Sequence, residues 1–270
     1  MTMLTELVHE EQLNSIVKKA YPSAGLQPFI QSYTQTASHS GNQAIRYLPN
    51  VGFTIRFSLG SKFSISNGKE SFEFDDHILI PDNHTWMVDG KFFAIKFRFG
   101  LLPYLNGRSH EGLVESPALV RDLLSGEYIS AIEGAESFEE RVKLTENYFL
   151  PLYEKNAKMI EKYRVIEDMV NYLIQNNFSS FRIEERMKNN FVSAKSLQRY
   201  FLKNFGLAPK TVYCILRVRK ALEAYFDDSV DFRIYDFDYY DYSHFYKEIK
   251  RVVGLNLPQL KDGEGFRGIA

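Results

Sequence analysis

Two short stretches hold the side chains best suited to chemistry. In the first, Lys195, Gln198, Arg199 and Lys203 fall on one side of a helical repeat, with Ser196 at its start. Leu197, Tyr200, Phe201 and Phe205 fall on the other side and are expected to face a core. Lysine and arginine neutralise phosphates, while glutamine and arginine form paired hydrogen bonds to base edges, so such a face suits the major groove of a duplex. Gly206 suits a left-handed helix stop. The alternative is an ordinary solvated basic face.

The second stretch repeats the first at an offset of 48 residues. Phe245 falls on Leu197, Lys247 on Arg199, Ile249 on Phe201, Arg251 on Lys203, Val253 on Phe205 and Gly254 on Gly206. Repetition of this kind marks one supersecondary unit used twice. Tyr242, Ser243, Tyr246, Lys247 and Arg251 become the second set of DNA candidates. Ser243 is placed to cap the second helix, with His244 packing near the turn rather than on DNA. Between the copies, Pro209 fits the first turn of a helical pattern running to Phe226. Such a rod spans roughly 25 Å. Successive major grooves on one face of a duplex lie about 34 Å apart.

The residues from Arg182 to Pro258 resemble the double helix-turn-helix domain of AraC/XylS-type transcription regulators. The marks are Ser193 to Phe201, Gly206-Leu207-Ala208-Pro209, Leu216-Arg217, Lys220-Ala221-Leu222, Ser243-His244-Phe245, Lys250-Arg251 and Gly254. Departures from the family pattern are Asp238 where glycine is usual before the aromatic, Phe191 in the first turn and Arg233 in place of an aliphatic residue. The end of the second unit, Gly254 to Pro258, is also one residue longer than Gly206 to Pro209. The two units differ in charge. Arg182 to Lys220 holds ten Lys and Arg against two acids, whereas Ala221 to Tyr246 holds seven acids against Arg233 alone. The first unit therefore has the footprint of a duplex binder. The acids of the second either lie away from DNA, weaken its reading, or hold a protein contact, for example with RNA polymerase or the N-terminal domain.

The remainder must position this unit. Helical spacing is expected from Thr5 to Ala20. Strand-like runs follow at Pro28–Tyr33, Ala44–Leu48, Phe53–Leu59, Lys62–Ser66, Ser71–Phe74, Ile78–Pro81, Trp86–Val88 and Phe92–Phe99. Turn residues such as Asn67-Gly68 and Asp89-Gly90 separate them. Many short, close strands suggest a sandwich or jelly-roll barrel. Helices are expected at Pro117–Leu124 and Phe138–Lys155. This order also resembles the family, in which a cupin-like β-domain precedes helices and the DNA-binding unit. A looser likeness to a sub-group rests on Pro28-Phe29-Ile30, Leu48-Pro49, Gly52, Leu59-Gly60 and Lys96 to Gly100. The resemblance implies a small effector held by the β-domain and dimerisation through the helices. Phe53, Phe57, Trp86, Phe97 and Phe99 would line an effector pocket, with Arg56 or Arg98 orienting an anion. The simpler reading is that these aromatics fill the barrel, and an arginine inside it would favour the pocket.

Other chemistries find little support. His39, His84 and His110 lack the tight His-x-His spacing of a metal cupin, and His77 beside Asp75-Asp76 reads as a turn. Neither Ser130 nor Ser137 sits in a Gly-x-Ser-x-Gly context, and no phosphate-binding glycine pattern occurs. No cofactor is expected. Cys214, the one cysteine of 270 residues, excludes an intramolecular disulfide and reads as a buried thiol. A net charge of −1 is neutral about partners. No signal peptide and no run of 18 apolar residues is evident, so a cytoplasmic, non-membrane protein is expected.

The expected fold is thus α+β in two domains: a cupin-like β-barrel or sandwich with flanking helices over 1–160, an all-α double helix-turn-helix over 161–260, and a tail over 261–270. The expected function is sequence-specific binding of double-stranded DNA by a transcription regulator, controlled by a small effector or by homodimerisation. The alternative is a regulator with a weakened second unit that works mainly through protein contacts. A third class is an enzyme or sugar-binding cupin with a helical tail.

Overall fold

The computed structural model describes residues 17–36, 45–60, 63–66, 71–74, 77–81, 85–98, 118–161, 164–176, 193–226 and 232–261. Its first half holds two antiparallel sheets. The larger contains β1 (Val17–Ala20), β2 (Ile30–Thr36), β9 (Phe92–Phe97), β4 (Phe53–Ser58), β7 (Ile78–Pro81) and β10 (Ala118–Leu119), in that order. The smaller has the order β3 (Ile45–Tyr47), β8 (Trp86–Asp89), β5 (Phe63–Ser66) and β6 (Ser71–Phe74).

The central strands of the large sheet are buried on both faces, and the two faces differ in kind. Phe53, Ile55 and Phe57 of β4 and Phe93, Ile95 and Phe97 of β9 belong to one apolar core. Two helices cover that face: α1 (Gly126–Gly134) and α2 (Phe138–Glu161). Phe57 meets Tyr128 edge-on at 5.9 Å, and Phe97 meets Phe149 at 5.4 Å between ring centroids. Arg141 on α2 ties the α1–α2 junction to β2 by donating to the carbonyls of Ile132 and Ala135 and to Gln35 Oε1. The opposite face carries Thr34, Thr36, Thr54 and Arg56, all buried.

Two sequence expectations are corrected here. Val17–Ala20 is strand rather than the end of a helix, because it pairs residue for residue with Thr36–Tyr33. No helix spans Ala118–Leu124. Ala118 and Leu119 pair with Leu79 and Ile78, the Val120 N–H donates to the His77 carbonyl, and only a 3-10 turn follows. Phe53, Phe57 and Phe97 follow the simpler core-filling reading: they pack on the helices, on the face opposite Arg56. Asp75 and Asp76 lie outside the described residues, and His77 is buried. Its Nδ1 accepts from the Ser58 N–H at 3.1 Å, and its Nε2 lies 2.9 Å from Glu133. The expected loop at 38–43, the turn at Asn67-Gly68, and Phe99, His39, His84 and His110 lie outside the described residues.

The second half is helical: α3 (Arg164–Gln175), α4 (Ala194–Phe205), α5 (Pro209–Phe226), a 3-10 turn at Ile234–Phe237, α6 (Tyr242–Val253) and α7 (Leu257–Lys261). Pro209 opens α5, where its missing N–H costs no hydrogen bond. The rod that follows is about 27 Å long. Its first half joins the core that includes α3 and α4. Its second half packs with Phe245, Ile249 and Val253 of α6 in a separate cluster, which also takes in Leu48. Thr85 donates to the Val253 carbonyl at 2.7 Å, a further tie between the β-half and α6. Among the described residues, no helix is long and apolar enough to cross a membrane.

Candidate nucleic-acid interface

The repeat seen in the sequence is a repeat in space. Ser193 caps α4, its Oγ accepting from the Ser196 N–H at 3.2 Å. Asp241, 48 residues on, caps α6 by accepting from the His244 N–H at 2.7 Å. Leu197, Phe201 and Phe205 are buried, as are Phe245, Ile249 and Val253. Both helices end on a left-handed glycine, Gly206 at φ 67° and Gly254 at φ 81°. Each of these glycines donates its N–H to the carbonyl four residues back. An L side chain is disfavoured at such an angle, which explains the residue type.

Lys195, Gln198, Arg199 and Lys203 are exposed on α4. Ser196 is half-buried, its hydroxyl 3.0 Å from that of Ser193 in the cap. Tyr200 departs from expectation: it is 37% exposed, with the Arg199 guanidinium 5.5 Å from its ring centre. Asn204 takes a core position instead, its amide donating to the Tyr200 carbonyl. On α6, Tyr242, Ser243, Tyr246, Lys247 and Arg251 are exposed. Ser243 does not cap the helix. Asp241 is the extended residue before the first turn, and Ser243 already lies within it. His244 packs on the Tyr239 ring at 5.2 Å.

Sequence reasoning missed how α6 is anchored. Arg217 on α5 is buried and donates to Glu248 Oε2 through Nε at 2.9 Å and Nη2 at 2.6 Å. Its Nη1 donates to the Tyr213 hydroxyl and the Asp238 carbonyl, both at 3.2 Å. The Tyr213 and Tyr239 rings flank the guanidinium at 4.8 and 4.4 Å. Arg251 donates to the other oxygen of Glu248 at 2.9 Å. Burial pushes the Glu248 carboxyl up, but the charge and hydrogen bonds of Arg217, with donors from Tyr239 and Cys214, outweigh it and hold the group below its ordinary value. A signal for this existed, since Glu248 stands beside Ile249 on the apolar stripe of α6, in register with Tyr200.

The unusual residues of the second unit fit this frame. Asp238, standing where glycine was expected, adopts φ 58°, an angle that Asp tolerates better than most residues. Its carboxylate accepts from the Tyr213 hydroxyl at 3.0 Å. Arg233 sits exposed just before the 3-10 turn, so no aliphatic residue is needed there. Glu223 is buried beside Arg219 at 3.1 Å and Lys220 at 3.8 Å. Three of the seven acids thus serve as turn, cap and internal ion pair. Phe191 and the first turn lie outside the described residues.

The effector candidates separate. Arg56 is 1% exposed and faces the smaller sheet, its guanidinium 4.7 Å from the ring centre of Tyr47 on β3 and 5.7 Å from that of Phe92. Its Nε and Nη1 have no hydrogen-bond partner. Trp86 lies on β8 opposite Tyr47. Arg98 is half-buried just past β9, its N–H donating to the Phe29 carbonyl. Arg56 pairs with Ala94, four residues from Arg98, so the backbones of the two arginines lie about 13 Å apart along the sheet. No group of three or more potential metal ligands occurs among the described residues.

No family model matches the chain, and no curated protein matches it. Among solved structures it is similar to ToxT from Vibrio cholerae, with 12% identity over 90% of this chain and 95% of that one, at a TM-score of 0.42. ToxT with a bound unsaturated fatty acid gives 10% identity over 89% and 91%, also at 0.42. ToxT bound to (E)-4-(8-methylnaphthalen-1-yl)but-3-enoic acid gives 12% over 90% and 96%, again at 0.42.

Proposed function

We propose that the chain is a transcription regulator of the AraC/XylS type, not an enzyme, and that it binds double-stranded DNA through α4 and α6. The observation that carries this reading is the spatial repeat: cap, buried triad and left-handed glycine recur at one spacing, and each helix turns a cationic face outward. The domains are then 1–160 for control and 161–260 for DNA. Lys195, Gln198, Arg199 and Lys203 supply the main contacts; Tyr242, Ser243, Tyr246 and Lys247 supply the second set. The test is selection of bound duplexes from a random pool, followed by a fluorescence-anisotropy salt series. The expected result is a motif with half-sites about one helical turn apart and an affinity that falls steeply with salt. A pool that yields no motif, with binding insensitive to salt, overturns the reading.

Arg56 supports an effector site in the β-domain. A buried guanidinium with two unpartnered nitrogens between aromatic rings is costly unless an anion meets it. The control input is therefore a small anion held between the two sheets. A second reading, protein contact through the second unit, is favoured by Tyr235 and Tyr240, exposed at 69% and 86% on either side of Asp236 and Asp238. That surface suits RNA polymerase or a second copy of the chain better than phosphate.

A further inference from the structure

A cavity of about 740 Å³ lies among α3, α4, α5 and α6, away from Arg56 and the sheets. Its wall is apolar: Met169 and Leu173 from α3, Leu197 and Phe201 from α4, and Cys214 from α5, each buried. At one end stands the Arg217–Glu248–Asp238 cluster, whose charges satisfy one another. Lys210 and Lys247 also line the cavity, from α5 and α6, and are exposed to solvent. Neither lysine has an ion-pair partner among the described residues. Four cationic side chains against two carboxylates leave the lining at +2.

We propose that this cavity binds an apolar monoanion, a molecule with an aromatic or aliphatic body and one carboxylate or sulfonate. The volume lies within the roughly 300–1,000 Å³ of small-molecule sites, and the pattern of apolar wall with few polar groups matches them. A cation meets the wrong field there. A polyanion gains nothing from Leu173, Leu197 and Phe201. A neutral apolar molecule leaves the two lysines unused. The occupant touches α4, the α5 rod and α6 together, so it fixes the relation between the two recurring helices and occupies Lys247. That regulatory consequence rests on the DNA-binding reading; the binding itself does not.

The experiment uses the full chain without DNA. Equilibrium dialysis measures biphenyl-4-carboxylate against its neutral and cationic counterparts, biphenyl-4-methanol and biphenyl-4-methylamine. In parallel, the alkylation rate of Cys214 by N-ethylmaleimide is followed by intact mass. Because Cys214 is the one cysteine and lies in the cavity wall, its protection locates the ligand. The expected result is one saturable carboxylate site per chain that slows Cys214 alkylation several-fold. Binding of the alcohol should be weaker and of the amine weaker still. Lys210→Gln combined with Lys247→Gln should weaken the carboxylate about tenfold, with an unchanged melting profile, while Arg56→Met leaves it unaltered. The proposal is overturned by equal binding of all three probes, by no saturable site, or by a site that survives the double lysine change but is lost with Arg56→Met. A site that leaves the Cys214 rate unchanged overturns it too.

Discussion

The units built on α4 and α6 share their caps, their buried triad and their glycine stop, yet they are held differently. At the position where α4 has half-exposed Tyr200, α6 has Glu248, buried against Arg217. The α4 unit is therefore attached by apolar packing and leaves its cations outward. The α6 unit is bolted to the rod by charge, and one of its cations, Arg251, is turned back to the bolt. The same helical plan gives one surface spent on reaching a partner and another spent partly on holding itself in place. One of the seven acids of the second unit is internal in the same way, since Glu223 answers Arg219 as Glu248, just beyond that stretch, answers Arg217.

The largest expected effect breaks the bolt. Glu248→Ala leaves Arg217 buried without its carboxylate and is expected to cost about 3–5 kcal/mol. Tyr200→Ala, at the matching position of α4, should cost less than about 1 kcal/mol. Denaturant titration gives both values, and amide exchange shows whether the loss falls on α6. Joint replacement, Arg217→Met with Glu248→Leu, should restore most of the stability, since the pair's worth is mainly the avoidance of an orphaned charge. Equal losses from the two single changes would remove the distinction between the units.

Protonation tests the same contact more gently. The folded-state value of Glu248 lies below its unfolded value, so its contribution is full above the ordinary glutamate value of about 4.3 and fades as the pH falls through the lower folded value. The stability difference between the native chain and Glu248→Gln should stay constant from pH 7 to 5 and shrink in acid. A gap that grows on acidification contradicts the depressed carboxyl.

Next in size is recognition. Arg199→Ala should weaken DNA binding by about 1–3 kcal/mol, and Lys247→Ala, in the anchored unit, by less. Anisotropy titrations at two salt concentrations compare them. Equal losses would mean that both units read alike and that the anchoring of α6 has no bearing on function.

Much of this plan was legible in the sequence because it is periodic. The apolar stripes of α4 and α6, the glycine stops and Pro209 are local signals, and all but Tyr200 fell where the residue type demanded. β6 and β7 also match their expected limits. What failed was non-local. Alternation along β4 put Phe53, Ile55 and Phe57 on one face and Arg56 on the other, but both faces are buried, so it could not say which one meets helices and which the second sheet. Arg217 and Glu248 lie 31 residues apart, and no local pattern announces their meeting. Gly126–Gly134 has glycine at both ends, which masks a helix capped by Ser125. The short strand Ala118–Leu119 exists only through its pairing with β7.

The smallest expected effect separates the two caps. Ser193→Ala and Asp241→Ala should each cost about 1 kcal/mol of stability, with the aspartate a few tenths more because its charge also favours the helix N-terminus. Asp241→Asn keeps the cap and removes only the charge, so folding should be nearly unaffected. Its effect on DNA then reports where the acids of the second unit point. If Asp241 faces the duplex, its neutralisation raises affinity by about 0.5 kcal/mol, close to a factor of two, and the gain disappears at high salt. An affinity that does not move places the aspartate on the side away from phosphate. The lower cationic reach of α6 would then come from Arg251 being tied to Glu248, rather than from repulsion at the helix start.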